Sequence, residues 1–538
     1  MLELLFHATS LLFFLSIILN GLLWIRLWET RDYQWRRVLI YLKDTNGGRN
    51  ILFGPTSSIK WFLILLYSTT IFINGFDAYY HLLVFLFYLL VIVDHIRKAY
   101  LGIYLFPTAS IYAIAICGIA MTFAIILFVF SPLDRYFWIL ILDKSFPLII
   151  ASLISISSAF FDFGTDMVIN KALKKIRRHK NLLSIAIIGS YGMGTTKEFI
   201  SQILKAKYNI LEAKTSFSNA AEIARTINSG LNPKKQIFVA AMEDNKFGDI
   251  REMSNIAIPK IIVVSGINNG NISMFGSMDR ILRSKLEAIE SLPKDGLVLF
   301  NGNSEYSRAL FKRSKKKKFI YSSFPTQVRE SDIIAENVKE NKLTMSFTIM
   351  VLGKKYKIDR MKLIGKQNVE SLLPAIFIGL YLGIDFSTIR NTIRALRPLL
   401  GTMDPNLAAT GAVLINDTYN VNLNSLEQAL LYMKLYKGKK VLVMEPVTEL
   451  GKIASFEHIR IGEKIGEACD YLLLTNNNYK RSILKGVKSV NGNCQVYTLP
   501  PVGISDFVNK NCKREDVVVF EGREAGRSLR LVDFDPVY

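Results

Sequence analysis

At 538 residues the chain is too long for one ordinary domain, and three or four units are expected. Half of its residues are hydrophobic and its formal charge is +22, with the charges clustered beside apolar segments. That pattern fits a membrane protein with basic cytoplasmic flanks and argues against a nucleic-acid partner. Four cysteines (Cys117, Cys469, Cys494, Cys512) and five scattered histidines show no CxxC and no metal-ligand spacing, so a structural zinc site is not expected.

In chain order, long apolar runs dominate residues 1–162. Leu4–Trp24 is long enough for a bilayer core of ~30 Å. It lacks the basic residues that precede a signal peptide's apolar core, so it reads as an uncleaved anchor. Trp61–Ile73 and Ala78–Val93 form a pair joined by a turn at Asn74-Gly75-Phe76-Asp77, and Pro107–Phe130 is a fourth span. Phe137–Phe161 is a fifth, interrupted by Asp143, Lys144 and Pro147, and reads as a broken span or as an interfacial piece followed by a shorter span. Basic residues concentrate in 25–60, in Arg97 and Lys98, and in "NKALKKIRRHK" at 170–180. Five spans put all three segments on one side, the cytoplasmic one, with the N-terminus outside. Residues 163–183 then form a basic juxtamembrane linker suited to anionic headgroups, or a plain solvated helix.

From Ser184 the pattern changes to short Val/Ile-rich runs alternating with amphipathic stretches. "SIAIIG", "QIFVAAM" (236–242), "KIIVVSGI" (260–267), "GLVLFNG" (296–302) and "KFIYSSF" (318–324) predict a parallel sheet covered on both faces. Residues 343–361 alternate like an antiparallel hairpin. A second α/β unit begins near Arg397-Pro398, with runs at 412–420, 439–445, 471–476, 494–500 and 516–522. The expected division is 1–162, 163–183, 184–396 and 397–538. Within the first α/β unit, "IAIIGSYGMGTTKEF" (185–199) reads as a strand, a glycine-rich turn and a helix start, the build of a phosphate-binding loop.

The order of landmarks in this half resembles the Mur ligases, ATP-dependent amide-bond-forming enzymes of cell-wall synthesis. It is most similar to the MurF type, which adds D-alanyl-D-alanine to a UDP-muramoyl tripeptide. The resemblance runs from Ile185 almost to the C-terminus. It rests on "GSYGMGTTKE" (189–198), "IPKIIVVSGI" (258–267), "FGSMDRILRSKLEAIESLP" (275–293), "LFNGNSEY" (299–306), "GKQNVESLLPAI" (365–376), "INDTYNVNLNS" (415–425) and "TELG" (448–451). It implies a multi-span α-helical membrane region followed by a P-loop-like Mur central domain and a Rossmann-like Mur C-terminal domain. The membrane spans replace the family's UDP-sugar domain.

The resemblance also implies ATP and magnesium as cofactors and assigns residues to them. Gly189, Ser190, Gly192, Gly194, Thr195 and Thr196 form the phosphate loop. Asn301, Asn368, Asp417, Tyr419 and Asn420 match nucleotide-contacting positions, and Lys285 matches the family's modified, catalytic lysine. The departures are equally specific. Met193 stands at the loop lysine, and the family's metal-ligand positions are Gly194, Ala241 and Asn271, so no metal site is expected. Gln367 replaces a histidine, and Thr402 stands where an arginine is expected. Glu243 lies two residues beyond Ala241, ~6–7 Å along a strand. Five substitutions (Met193, Gly194, Ala241, Asn271, Thr402) remove charge or metal affinity from one site.

Three roles follow as expectations. The first is a membrane-anchored, MurF-like protein with a degenerate ATP/Mg site, acting as a non-catalytic partner, for example of an active Mur ligase paralogue. The second is a working ATP-dependent amide ligase on a lipid-linked cell-wall precursor. The third, a transporter, is disfavoured by the scarcity of mid-span charges. The expected location is the inner (plasma) membrane, multi-pass, with the soluble half cytoplasmic and in contact with membrane lipids.

Overall fold

The computed structural model describes residues 2–537 except 32, 71–76, most of 101–134, 214–218, 271, 324–331 and 491. Two compact units emerge: Met1–Phe163 with Leu499–Gly503, and Gly164–Thr498 with Ile504–Tyr538.

The first unit is helical: α1 (Leu2–Glu29), α2 (Trp35–Asp44), α3 (Asn46–Phe53), α4 (Pro55–Thr70), α5 (Asp77–Tyr100) and the start of α6 (Arg135–Arg178). Glu3–Glu29, Gly47–Thr69, Ala78–Lys98 and Arg135–Ser157 are long and apolar enough to cross a membrane. Three of these coincide with expected spans, and Gly47–Thr69 overlaps the expected Trp61–Ile73 but starts well before it; the remaining one, Pro107–Phe130, lies largely outside the described residues. Phe13, Ile17, Tyr88, Ile139 and Phe146 form part of the core. Leu4, Leu11, Phe62, Leu65 and Leu90 are exposed on the outside. Helices apolar all round, with apolar side chains facing outward, suit lipid rather than water.

The break expected at Asp143, Lys144 and Pro147 is absent, for α6 runs through it as one helix. Pro147 removes a single ladder donor, the one that would reach the Asp143 carbonyl four residues back, and the turns on either side continue. At the basic end of α6, Lys175 Nζ donates to the Asn228 carbonyl (2.7 Å) and Asn228 Nδ2 donates to the Val168 carbonyl (2.8 Å). This stretch is therefore fastened to the α/β unit instead of standing free as a solvated linker.

The second unit holds two sheets. The first has nine strands in the order β2-β3-β1-β4-β5-β6-β7-β8-β9. Its strands are β1 (Leu183–Ile188), β2 (Ile210–Glu212), β3 (Ile237–Met242), β4 (Ile261–Val264), β5 (Leu297–Asn301), β6 (Lys317–Ser322), β7 (Ile333–Glu340), β8 (Met345–Val351) and β9 (Lys354–Met361). Strands β1 to β7 pair in parallel, and β1 lies between β3 and β4 with Ile185 facing Val239 and Ile261. The expected hairpin is β8–β9, turned by Leu352 and Gly353, both at positive φ. Between the strands run α7 (Met193–Lys205), α8 (Ala220–Gly230), α9 (Asp249–Ala257), α10 (Ile272–Phe275), α11 (Met278–Ser291) and α12 (Glu305–Arg313); α13 (Gln367–Tyr381) and α14 (Phe386–Ala395) follow β9.

The second sheet has seven strands in the order β14-β13-β12-β15-β11-β10-β16. They are β10 (Asp404–Ala408), β11 (Val413–Asp417), β12 (Lys440–Met444), β13 (Tyr471–Leu474), β14 (Gln495–Thr498), β15 (Val517–Glu521) and β16 (Phe534–Pro536). Helices α15 (Leu423–Met433), α16 (Ala454–Ala468), α17 (Lys480–Ser489), α18 (Pro501–Asn511) and α19 (Ala525–Leu529) connect them. Strand β15 lies between β11 and β12, so the order reverses there and the carboxyl ends of these three strands flank a switch-point crevice.

Candidate functional site

The candidate site lies at the carboxyl edge of the nine-stranded sheet, where β1, β3, β4 and β5 end. β1 ends at Ile188 and the chain turns through Gly189–Gly192 into α7. Gly192 adopts φ 75°, a left-handed value that suits glycine. The amides of Ser190 and Tyr191 both donate to the Gly266 carbonyl (2.7 and 3.1 Å), and Ser265 Oγ donates to the Tyr191 carbonyl (2.7 Å). Gly189 and Gly266 are forced: a Cβ on the first would lie 2.0 Å from Ser265 Oγ, and one on the second 1.8 Å from the Tyr191 ring. The loop is thus built, and the Tyr191 ring is packed against the Gly266 backbone. The first-turn amides of α7, at Met193, Gly194 and Thr195, are those a helix leaves without intrahelical acceptors.

What the loop lacks is charge. Met193 is 2% exposed and belongs to the apolar cluster with Phe199, Ile203 and Val239. Thr196 is buried and Thr195 half-buried. Lys197 is turned away, its buried Nζ donating to the Ala213 carbonyl (2.6 Å), and burial lowers its pKa. The groups near Tyr191 are acidic instead. Burial pushes its phenol well above the usual range, with further upward contributions from Glu370 and Glu427.

Glu370 is held by two amides, Asn301 Nδ2 and Asn303 Nδ2 (2.8 Å for the second). Burial raises its pKa, and these two hydrogen bonds oppose the rise. Asn301 also accepts from the Asn303 amide (2.9 Å), and Asn303 binds Ser322 and Ser323. Asn301 is therefore at the site edge, but its polar atoms serve this network. Asn368, also buried, donates Nδ2 to the Ile364 carbonyl one turn back (2.6 Å).

At the metal positions, Gly194 carries no side chain, Ala241 is buried in β3 beside Ile187, and Asn271 lies outside the described residues. Among the described residues no cluster of three His, Cys, Asp or Glu side chains could hold a metal ion. The expected modified lysine, Lys285 on α11, is 1% exposed and forms an ion pair with Asp244, whose other oxygen accepts from Ser284 Oγ (2.6 Å). Asp244 immediately follows Glu243, and sequence reasoning passed over it. A lysine becomes a carbamate only as a neutral amine, and the product is an anion. The ion pair occupies the Lys285 amine, and a carboxylate at that distance would repel a carbamate anion. Among the described residues, the family's metal positions supply no carboxylate or imidazole ligand.

The remaining candidates sit on the seven-stranded sheet. Asp417, at the end of β11, is 6% exposed; its Oδ1 accepts from the Met403 amide (3.1 Å). Burial raises its pKa to about 6. The neighbouring Glu521, on β15, is raised well above the carboxylate range by burial and by Asp417. Ser425 Oγ donates to Glu521 (2.6 Å). Asp417 thus faces inward. The Tyr419 amide donates to the Gly401 carbonyl (2.9 Å). Asn420 is exposed, while Asn422, two residues on, caps α15 in a capping box with Ser425. Thr402 Oγ1 donates to the Leu399 carbonyl (2.8 Å). Direct contacts join the two sheets' domains beside the loop after β4: Asn268 with Asn424 (2.7 Å) and Asn269 with Glu457 (3.1 Å).

The comparisons with known proteins agree with this architecture. Residues 187–379 match the Mur ligase middle domain. The UDP-N-acetylmuramoyl-tripeptide–D-alanyl-D-alanine ligase of Buchnera aphidicola (Baizongia pistaciae) is 26% identical over 302 residues, covering 56% of this chain and 65% of the relative. That of Bacillus subtilis is 24% identical over 350 residues, covering 64% and 74%. This chain therefore spans a little under two thirds of the first relative's length. Among solved structures, MurF from Acinetobacter baumannii superposes with a TM-score of 0.61 at 20% identity, over 68% of this chain and 79% of that one. MurF from Thermotoga maritima in complex with ADP gives 0.60 at 18% identity, over 68% and 83%.

Proposed function

From a chain that carries a Mur ligase middle domain within a MurF-like fold, we propose a membrane-anchored homologue in peptidoglycan-type envelope biosynthesis whose ATP and magnesium site is degenerate. Its role is non-catalytic: a partner of an active Mur ligase, held at the membrane by the apolar helices with the α/β half cytoplasmic. The basic end of α6 faces anionic headgroups. The observation that carries the reading is the Lys285–Asp244 pair. The lysine that the family modifies is here buried and ion-paired with Asp244. The loss of charge at Met193 and the carboxylates near Tyr191 point the same way, since phosphoryl transfer depends on positive charge around the transferring group.

A second reading, an active amide ligase on a lipid-linked precursor, is favoured by one feature: the phosphate loop keeps its left-handed Gly192 and the donors of the first turn of α7. Isothermal titration of the detergent-purified chain with ATP, with and without magnesium, separates the two. The degenerate reading expects no magnesium-dependent binding. Micromolar, magnesium-dependent binding sinks it in favour of the second.

A further inference from the structure

The amino edge of the nine-stranded sheet carries a row of charge that the candidate site does not use. Strands β1 to β6 pair in parallel, so the turns that lead into them line one edge, opposite the loop at Gly189. Each of the six turns holds an exposed lysine: Lys180 before β1, Lys207 before β2, Lys234 before β3, Lys260 before β4, Lys294 before β5 and Lys315 before β6. Lys207 Nζ donates to the Gly383 carbonyl (2.7 Å). Among the described residues the ammonium groups of Lys234, Lys260, Lys294 and Lys315 make no hydrogen bond or ion pair, so the fold does not require them. The same turns, 179–182, 206–209, 231–236, 258–260, 292–296 and 314–316, hold one acidic residue, Asp295. Six strands at ~4.8 Å spacing make the row ~24 Å long.

Two apolar side chains stand in the same row. Ile258, in the turn before β4, is 43% exposed and holds φ 48°, a left-handed conformation that is strained for a β-branched residue. Tyr381, at the end of α13, is 50% exposed, with Lys317 Nζ 5.5 Å from its ring centroid. Lys317 begins β6, so the ring belongs to this edge. Lysines interspersed with an exposed tyrosine and an aliphatic side chain suit a layer of lipid headgroups. The chain also arrives at this edge. Asn228, near the end of α8, donates to the Val168 carbonyl of α6, and the turn after α8 carries Lys234. Val168 lies seven residues beyond the apolar run that ends at Phe161, a tether of at most ~25 Å even if fully extended. A tether that short keeps the row within reach of the leaflet, and each basic residue at an anionic surface adds to the attraction.

We propose that the amino edge of the nine-stranded sheet docks on the anionic leaflet of the membrane that the apolar helices span, with Ile258 and Tyr381 entering the headgroup layer. The proposal rests on the reading of those helices as membrane-spanning, and it is independent of whether the α/β half is catalytic. The carboxyl edge, with the Gly189–Gly192 loop, lies one six-residue strand away, ~20 Å, and opens away from the lipid.

The test is lysine footprinting of the full chain in lipid nanodiscs, with a water-soluble acylating reagent and mass spectrometry of the labelled peptides. In phosphatidylglycerol discs, labelling of Lys234, Lys260, Lys294 and Lys315 is expected to fall about fivefold relative to Lys488, an exposed lysine of α17; that is the scale of one basic residue's attraction to such a surface. In phosphatidylcholine discs it should not fall, and ~1 M salt, where the Debye length is ~3 Å, should restore it. Lys234→Gln with Lys260→Gln should return Lys294 and Lys315 to the phosphatidylcholine level, while buried Lys285 stays unlabelled and so reports a folded domain. Equal labelling in the two lipids overturns the docking face, as does protection that survives the double substitution. Protection in detergent without lipid also overturns it, in favour of a nucleic acid if nuclease removes the protection and of a second protein if it does not. A chain that stays in solution without detergent and does not enter the discs overturns instead the spanning helices, on which the face depends.

Discussion

Two regions of this molecule each bury a lysine–aspartate pair, and the two pairs are balanced differently. In the nine-stranded domain, Lys285 and Asp244 neutralise each other, and Ser284 completes the carboxylate's contacts. In the helical bundle, Lys60 and Asp143 form an equivalent pair, and beside it Lys144 is met, among the described residues, by a hydroxyl and an indole. The closed pair reads as architecture in a place where the family has chemistry. The balance of charge, more than the presence of charged residues, separates the two.

Breaking the closed pair gives the largest effect. Asp244→Ala leaves Lys285 buried without a counter-charge and is expected to destabilise the α/β half by about 3–5 kcal/mol. Chemical denaturation followed by far-UV circular dichroism measures it. Adding Lys285→Met should recover most of the loss, and no recovery would show that the two residues do not act as a pair.

The next effect is a pH dependence from a third buried arrangement, in which two carboxyl groups lie side by side. Asp417 is raised from 3.8 to about 6, and Glu521 shifts the same way. The folded state therefore binds protons that the unfolded chain has released. The stabilisation is full below about pH 4 and is lost as pH rises through about 6, worth at most about 3 kcal/mol for Asp417. Denaturation midpoints from pH 4 to 8 should fall in the wild type and flatten in Asp417→Asn.

His458 supplies the opposite sign. Burial lowers its pKa to about 4, so its contribution is present above about 6.5, the unfolded value, and is lost as pH falls through about 4. His458→Gln should reduce the loss of stability on that acid side. The smallest effect belongs to the hydroxyls. Ser284→Ala and Tyr88→Phe each remove one hydrogen bond to a buried aspartate and should cost about 1–2 kcal/mol. A larger loss for Tyr88→Phe would mean that Asp143 relies on its phenol more than on Lys60.

Much of the fold was legible from periodicity. The Val/Ile runs at 185–188, 237–242 and 261–264 are adjacent strands, because continuous apolar runs of that length fit a sheet buried on both faces. Strands β10 and β16 were missed: "DPNLA" and "FDP" are short and contain proline, aspartate or asparagine, and they pair only at the sheet edge. The interruption in α6 was over-read, since Asp143 and Lys144 find partners on α4 and α5 that sequence spacing does not show. The lysine run at 312–318 was legible only as charge. In the structure Lys318 caps the carbonyls of Phe311 and Ser314 (2.7 and 2.8 Å) at the end of α12, and Lys316 reaches the Leu292 carbonyl.

At the candidate site, Met193 and Gly194 were readable as departures because the loop pattern fixes their places, and Ala241 because it lies in the run "QIFVAAM". Asp244 was not, because its partner Lys285 is 41 residues away and joins it only when α11 packs beside the end of β3. The inward turn of Asp417 was likewise hidden: its neighbour Glu521 comes from a strand more than a hundred residues later.

The burial of Met193 bears on the packing of the loop as well as on its chemistry. Its side chain is part of the cluster that holds α7 on the sheet. A lysine returned to that position would first place an ammonium stem among Phe199, Ile203 and Val239, before any nucleotide could draw it out. The same holds at Ala241, where a glutamate would enter a closed strand face beside Ile187. Each charged substitution is unfavourable by itself, because the packing that holds α7 and β3 in place would have to give way before the new side chain could reach a ligand.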